Sequence, residues 1–150
     1  MNKHIRDGYA NEWLGSRFDP MLTTAESGGA LCITDTVCPP GFSPPRHIHQ
    51  DADETFVVLT GDMKFWMDGR TVTVGPGGTM FVPRGSEHSF RVVSDTPARH
   101  LTIFSPGGFD GFFAEMCKGG YSIPDDMERI IEVGNSYKLT FTGPPLEVNE

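Results

Sequence analysis

ETFVVLTGDMKFWMDGRTVTVGPGG, residues 54–78, alternates short apolar runs with turn residues, and its reading decides the fold. Three strands are expected here, at 55–59, 63–67 and 70–74, joined by a turn at Thr60–Asp62 and a two-residue turn at Asp68-Gly69. Asp-Gly between β-prone runs is a strong hairpin signal, because glycine accepts the positive φ of a type I′ turn. All three strands are expected to pair antiparallel. TMFVP (79–83), HSFRVV (88–93) and RHLTIF (99–104) continue the series at intervals of about ten residues, which points to a β-sandwich or barrel. Upstream, ALCITDTVC (30–38) reads as a strand closed by the breaker-rich PPGFSPP. Residues 1–29 read as an irregular arm with one strand near Met21–Thr24. Downstream, FDGFFAEMCKG (109–119) gathers Phe109, Phe112, Phe113 and Met116 on one helical face. PDDMERIIEVG (124–134) has the proline and acidic start and glycine end of a second helix.

Composition fits one domain of this kind. Eighteen glycines and 12 prolines make a fifth of the 150 residues, and they fall between apolar runs as turn punctuation. A single domain over 1–150 is expected, divided into arm (1–29), barrel (30–106) and helical extension (107–150). The formal charge of −8 repels phosphate backbones and anionic bilayers, so neither nucleic acid nor membrane is an expected partner. No apolar run approaches a membrane span, and MNKHIRDGYANEWLG lacks the apolar core of a signal peptide, so a cytoplasmic protein is expected. The odd cysteine count (Cys32, Cys38, Cys117), with no CxxC pair, favours free thiols. Cys32 and Cys38 read as small buried hydrophobes.

Chemistry concentrates in HIHQDADETFVVLTG, residues 47–61. Side chains alternate along a strand, so His47 and His49 share a face if 47–49 is extended. Glu54, Phe56 and Val58 share another, and a reversal at QDAD lets Glu54 enter the cavity the histidines face. His88 opens a later strand, and antiparallel closure can bring it to the same place. Three imidazoles and one carboxylate form a plausible ligand set for a first-row metal, although spacing alone does not establish the closure.

Two stretches carry a family resemblance. GFSPPRHIHQDADETFVVLTG resembles cupin motif 1, with Gly41, His47, His49, Glu54 and Gly61 in place. GGTMFVPRGSEHSFRV resembles cupin motif 2, with Gly77, Pro83, Gly85 and His88 in place and Val92 where the family usually has asparagine. The resemblance implies an all-β fold, the double-stranded β-helix or jelly-roll barrel, with an irregular N-terminal arm and one or two short C-terminal helices. It implies one divalent transition metal per chain (Fe, Ni, Mn or Co, with Zn as a further option) on His47, His49, Glu54 and His88, and Glu54 as the catalytic base. The chain's layout is similar to small bacterial cupins of the quercetin-dioxygenase-like group. The implied function is therefore a metal-dependent dioxygenase using O2 on a small enolisable or phenolic substrate. Non-redox isomerases, cyclases and lyases, and non-catalytic binding modules, share the same residues. Jelly-roll edges need cover, and the resemblance implies a homodimer that uses the arm for this.

Phe56, Phe65, Met67, Phe81 and Phe90 are the candidate pocket residues, since ligand cavities are mostly apolar with a few placed polar groups. Asp51 and Asp53 read as surface loop residues. Arg84 reads as solvent-facing, with a cation at the pocket mouth as the alternative, and His100 reads as structural.

Overall fold

The computed structural model describes residues 11–150; the first ten residues of the arm lie outside the described residues. Eleven strands and two helices follow in chain order: β1 (Glu12–Trp13), β2 (Ser16–Leu22), β3 (Cys32–Cys38), β4 (Arg46–His49), β5 (Asp53–Thr60), β6 (Met63–Met67), β7 (Arg70–Val74), β8 (Thr79–Val82), β9 (His88–Val92), β10 (Ala98–Ser105), α1 (Asp110–Gly119), α2 (Met127–Ser136) and β11 (Leu139–Gly143). The period of two is visible in β3 and β10, where buried and more exposed positions alternate along CITDTVC and ARHLTIFS.

The strands form two open sheets, a six-stranded one in the order β1-β2-β3-β10-β5-β8 and a five-stranded one in the order β11-β4-β9-β6-β7. This corrects the expected all-β jelly-roll barrel: neither sheet closes on itself, and two ten-residue helices make the architecture mixed and β-rich. The reason lies in the connections. From β3 to β4, β4 to β5, β5 to β6, β7 to β8, β8 to β9, β9 to β10 and β10 to β11 the chain changes sheet, so most sequential strands lie in opposite sheets instead of joining a continuous ladder.

The same crossing corrects the expected pairing of 55–59 with 63–67. β5 pairs with β10 and β8, whereas β6 pairs with β7 and β9. The turn between β5 and β6 is a crossover, made at Gly61 with φ +77°, where a Cβ would lie 2.8 Å from Ala98 Cα and 2.9 Å from the Pro97 carbonyl oxygen. By contrast, the Asp68-Gly69 hairpin joins β6 and β7 with both central φ angles positive, 48° and 84°, as a type I′ turn requires.

The described part of the arm is ordered. β2 pairs along β3, and Asp110 at the start of α1 accepts hydrogen bonds from Thr24 N (2.9 Å) and Thr24 Oγ1 (2.6 Å). Trp13 Nε1 donates to the Tyr121 carbonyl at 2.7 Å and ties β1 to the end of α1. α1 and α2 start slightly later than expected, and β11 is a strand the sequence reading did not anticipate. One apolar cluster (Phe104, Phe109, Phe112, Met116, Ile130, Leu139) binds the helices to the sandwich. A second (Phe56, Val58, Met63, Phe65, Phe90, Val92) fills the space between the sheets, with Val92 buried in the place of the family asparagine. All three cysteines are free thiols, and among the described residues no helix is long and apolar enough to cross a membrane.

Candidate metal centre

Three strands deliver the ligand residues. β4 carries His47 and His49, and β9 carries His88, whose Cα pairs with that of His47 in the five-stranded sheet. β5 brings Glu54 from the opposite sheet. One donor atom from each of the four residues lies within 4.8 Å of all the others. Glu54 Oε2 is 2.9 Å from His88 Nε2 and 3.2 Å from His49 Nε2. Donors about 2.1 Å from a shared ion stand about 3.0 Å apart when adjacent in its coordination shell, so these separations fit one small divalent ion.

The backbone fixes two of the rings. His47 Nδ1 lies 2.7 Å from the Pro45 carbonyl oxygen and His88 Nδ1 lies 3.0 Å from the Ser86 carbonyl oxygen, each two residues upstream. A carbonyl only accepts, so Nδ1 carries the proton in both rings and Nε2 is left to point at the cluster. The upstream loop is itself held to β9, because Ser89 Oγ donates to the Pro44 carbonyl at 2.6 Å.

His49, Glu54 and His88 are buried, while His47 keeps some exposed surface. Burial pushes His47 well below the ordinary histidine range, reinforced by the neighbouring His88 and His49. Burial pulls His88 down as well, but the hydrogen bond and charge of Glu54 outweigh it and leave His88 raised. For Glu54, burial favours the neutral acid, yet His49 and His88 overcome that and hold the carboxyl well below the usual range. His88 Nε2 faces Glu54 Oε2 at 2.9 Å, in the direction a bound cation would take. The donor set of neutral imidazoles and an ionised carboxylate fits a divalent transition metal, and the cluster forms a mononuclear divalent-metal site.

The cluster opens on an aromatic cavity of about 80 Å³, walled by Phe18, Phe56, Phe90, Phe104, Phe109 and Phe112 and reached by His47, His49 and Glu54. His49 packs edge-on against Phe104 and Phe109, with ring centroids 4.8 and 4.5 Å away. A larger depression of about 580 Å³ lies between β2 and α1 and includes none of the four ligands, so the small cavity is the one that bears on the chemistry.

Of the candidate pocket residues, Phe56 and Phe90 line this cavity. Phe65 is buried behind Phe56 at 4.8 Å between ring centroids, and Met67 packs against the same core cluster. Phe81 points outward and is 55% exposed, because Glu54 pairs with Val82 on the inner face and Thr55 with Phe81 on the outer. Arg84 pairs with Asp53 at 3.2 Å on the surface and does not line the cavity. The sequence reading missed Trp13, Phe18, Thr36, Thr102, Phe109 just before α1 and Phe112 within it as lining residues. Only the Phe-rich face of 109–116 had signalled its position over the β-structure.

Residues 35–104 match a sequence family described as a cupin domain. Over 85 residues, 57% of this chain, the sequence is 32% identical to quercetin 2,3-dioxygenase of Bacillus subtilis (strain 168), of which the match covers 25%. It is 35% identical over 65 residues to an uncharacterized protein of Aquifex aeolicus (strain VF5), covering 43% of this chain and 52% of that one. The chain thus spans between a quarter and about half of these relatives. Among solved structures, KdgF from Halomonas sp. superposes with a TM-score of 0.61 at 17% identity, over 69% of this chain and 91% of its own. The polyketide cyclase RemF from Streptomyces resistomycificus superposes with a TM-score of 0.56 at 26% identity, over 70% of this chain and 79% of its own. The chain carries a cupin-superfamily domain, and its matched segment holds all four residues of the metal site.

Proposed function

We propose that the protein is a metal-dependent dioxygenase, quercetinase-like in its chemistry, acting on a small enolisable or phenolic substrate. The observation that carries this is the position of Glu54: its carboxylate belongs to the ligand cluster and also lines the aromatic cavity. A substrate oxygen entering from the cavity meets a proton acceptor and a metal site at one point. The similarity to a quercetin dioxygenase over 57% of this chain supports the reaction class.

A divalent ion on these residues supplies Lewis-acid acidification of a substrate hydroxyl and, when redox-active, an electron path to O2. The chain's own residues supply the rest. Glu54, ionised across the neutral range, takes the hydroxyl proton on its carboxylate, which lies at the junction of the ligand cluster and the cavity. The phenylalanine walls exclude water and offer flat faces to an aromatic or enolic ring. A cavity of about 80 Å³ selects small molecules, and a substrate of flavonol size requires Phe109 or Phe112 to move aside.

The test is oxygen uptake by metal-replete protein with small enols, phenols and flavonols. O2 consumption matched to substrate loss, and abolished by Glu54→Gln, supports the proposal. Equal turnover under anaerobic conditions sinks it and points to isomerase, cyclase or lyase chemistry; tight binding without turnover points to a binding module.

A further inference from the structure

The inner face of the six-stranded sheet continues beyond Glu54 with side chains that the metal site does not use. His100 on β10 and Thr36 on β3 are direct cross-strand partners. Both are buried, both line the cavity, and neither His100 Nδ1 nor Thr36 Oγ1 has a hydrogen-bond partner among the described residues. Phe56 and Phe90 hold the imidazole between them, with ring centroids 5.5 and 5.6 Å away. Buried polar atoms are almost always paired, so two orphans side by side on a cavity wall call for a partner that is not the protein. Burial pushes His100 down to about 4, so the ring is neutral at physiological pH and presents one donor and one acceptor nitrogen.

We propose that His100 and Thr36 form a second polar anchor in the cavity, hydrogen-bonding a neutral hydroxyl or carbonyl group of the substrate while another oxygen of the same molecule faces His49 and Glu54. This rests on the reading of the cavity as the substrate site. Glu54 pairs with Phe104, four residues along β10 from His100, which separates the two backbone levels by about 13 Å. One substrate atom cannot serve both ends. The substrate class is narrowed to enols or phenols with a second, uncharged oxygen function away from the reacting one, since a neutral imidazole and a hydroxyl offer no counter-charge to an anion.

The test compares phenol with resorcinol and hydroquinone, none of which chelates a single ion, on Zn-loaded and on metal-free protein in anaerobic buffer. Affinities come from calorimetry, and the His100 imidazole is followed by 15N NMR. At least one of the two diols should bind about tenfold more tightly than phenol and shift the His100 nitrogens, as one extra hydrogen bond to a buried group implies. Thr36→Val and His100→Phe should each reduce that preference toward unity. A preference that survives both variants, or His100 resonances that ignore both diols in the wild-type protein, overturns the proposal without depending on a variant's folding. Failure to bind Zn with the His100 response intact counts against the metal-dependent reading alone; Zn binding with a silent His100 counts against the second anchor alone.

Discussion

Replacing Gly61 with alanine should damage the fold far more than the same change at Gly69, although both glycines sit in two-residue turns at positive φ. At Gly69, φ is +84° and a Cβ meets nothing within 4 Å, so Gly69→Ala carries only the left-handed backbone penalty of about 1 kcal/mol. At Gly61 the same penalty applies, and the new Cβ lies 2.8 Å from Ala98 Cα and 2.9 Å from Pro97 O. Those are backbone atoms in the approach to the long central strand β10, so relief requires the turn or the strand to shift, at about 1–3 kcal/mol more. The totals are about 1 kcal/mol for Gly69→Ala and about 3 kcal/mol for Gly61→Ala. In a domain of this size, melting falls by about 3 °C per kcal/mol, so losses of about 3 °C and about 9 °C are expected. Calorimetric melting of both variants in EDTA, which removes metal linkage, measures the difference. Variants that melt within about 1 °C of each other would refute the crossover, because a simple hairpin at 60–62 leaves Gly61 no backbone to meet.

Three further outcomes follow from the site. Protein purified without added metal should contain close to one transition-metal ion per chain by elemental analysis, and the His49→Ala, His88→Ala double variant should contain almost none; equal content in both would place the metal elsewhere. In metal-free protein, Glu54→Gln removes the charge and hydrogen bond that raise His88, so the His88 titration followed by NMR should move to lower pH; a stationary titration would show that Glu54 is not its partner. His100 is lowered to about 4 by burial against the opposing pull of Glu54 and Asp35, whereas an unfolded histidine titrates near 6.5. The unfolded chain therefore gains the proton first, and this group's contribution is full above about 6.5 and is lost as pH falls toward about 4. His100→Phe should weaken the acid dependence of urea unfolding between pH 7.5 and pH 4 by about 3 kcal/mol, and an unchanged dependence would contradict a neutral buried ring.

The ligand residues were legible because their order along the chain, HxH then glutamate then a later histidine framed by glycines, matches a family pattern. The two upstream carbonyls that orient His47 and His88 were not, since any residue has a carbonyl and only the path of the backbone aims it. Strand existence could be read from alternation, but sheet membership could not. A turn such as Thr60–Asp62 looks the same whether it folds a hairpin or crosses the core, and only the proximity of Ala98 decides. Whether the outermost strands meet depends on strand tilt and crossing, which leave no mark on composition; hence a barrel was expected and two open sheets were found. Phe81 was misplaced because Met80, Phe81 and Val82 are all apolar, so the pattern along β8 does not say which side faces inward. Phe109, Phe112 and Phe113 lie on the apolar face expected for 109–119, but nothing in that pattern says that they also form part of the cavity wall.

The distribution of ligands between the two sheets gives the site a second role. Three imidazoles come from one sheet and the carboxylate from the other, so an ion bound to all four fastens the layers together where no backbone ladder joins them. Loading and folding are then one linked equilibrium: free ion at a hundred times its dissociation constant adds about 2.7 kcal/mol to the stability of the native state. The melting temperature of the protein thereby becomes a gauge of metal supply, and a cell short of the right ion would hold a looser sandwich, more exposed to proteolysis, as well as an idle site.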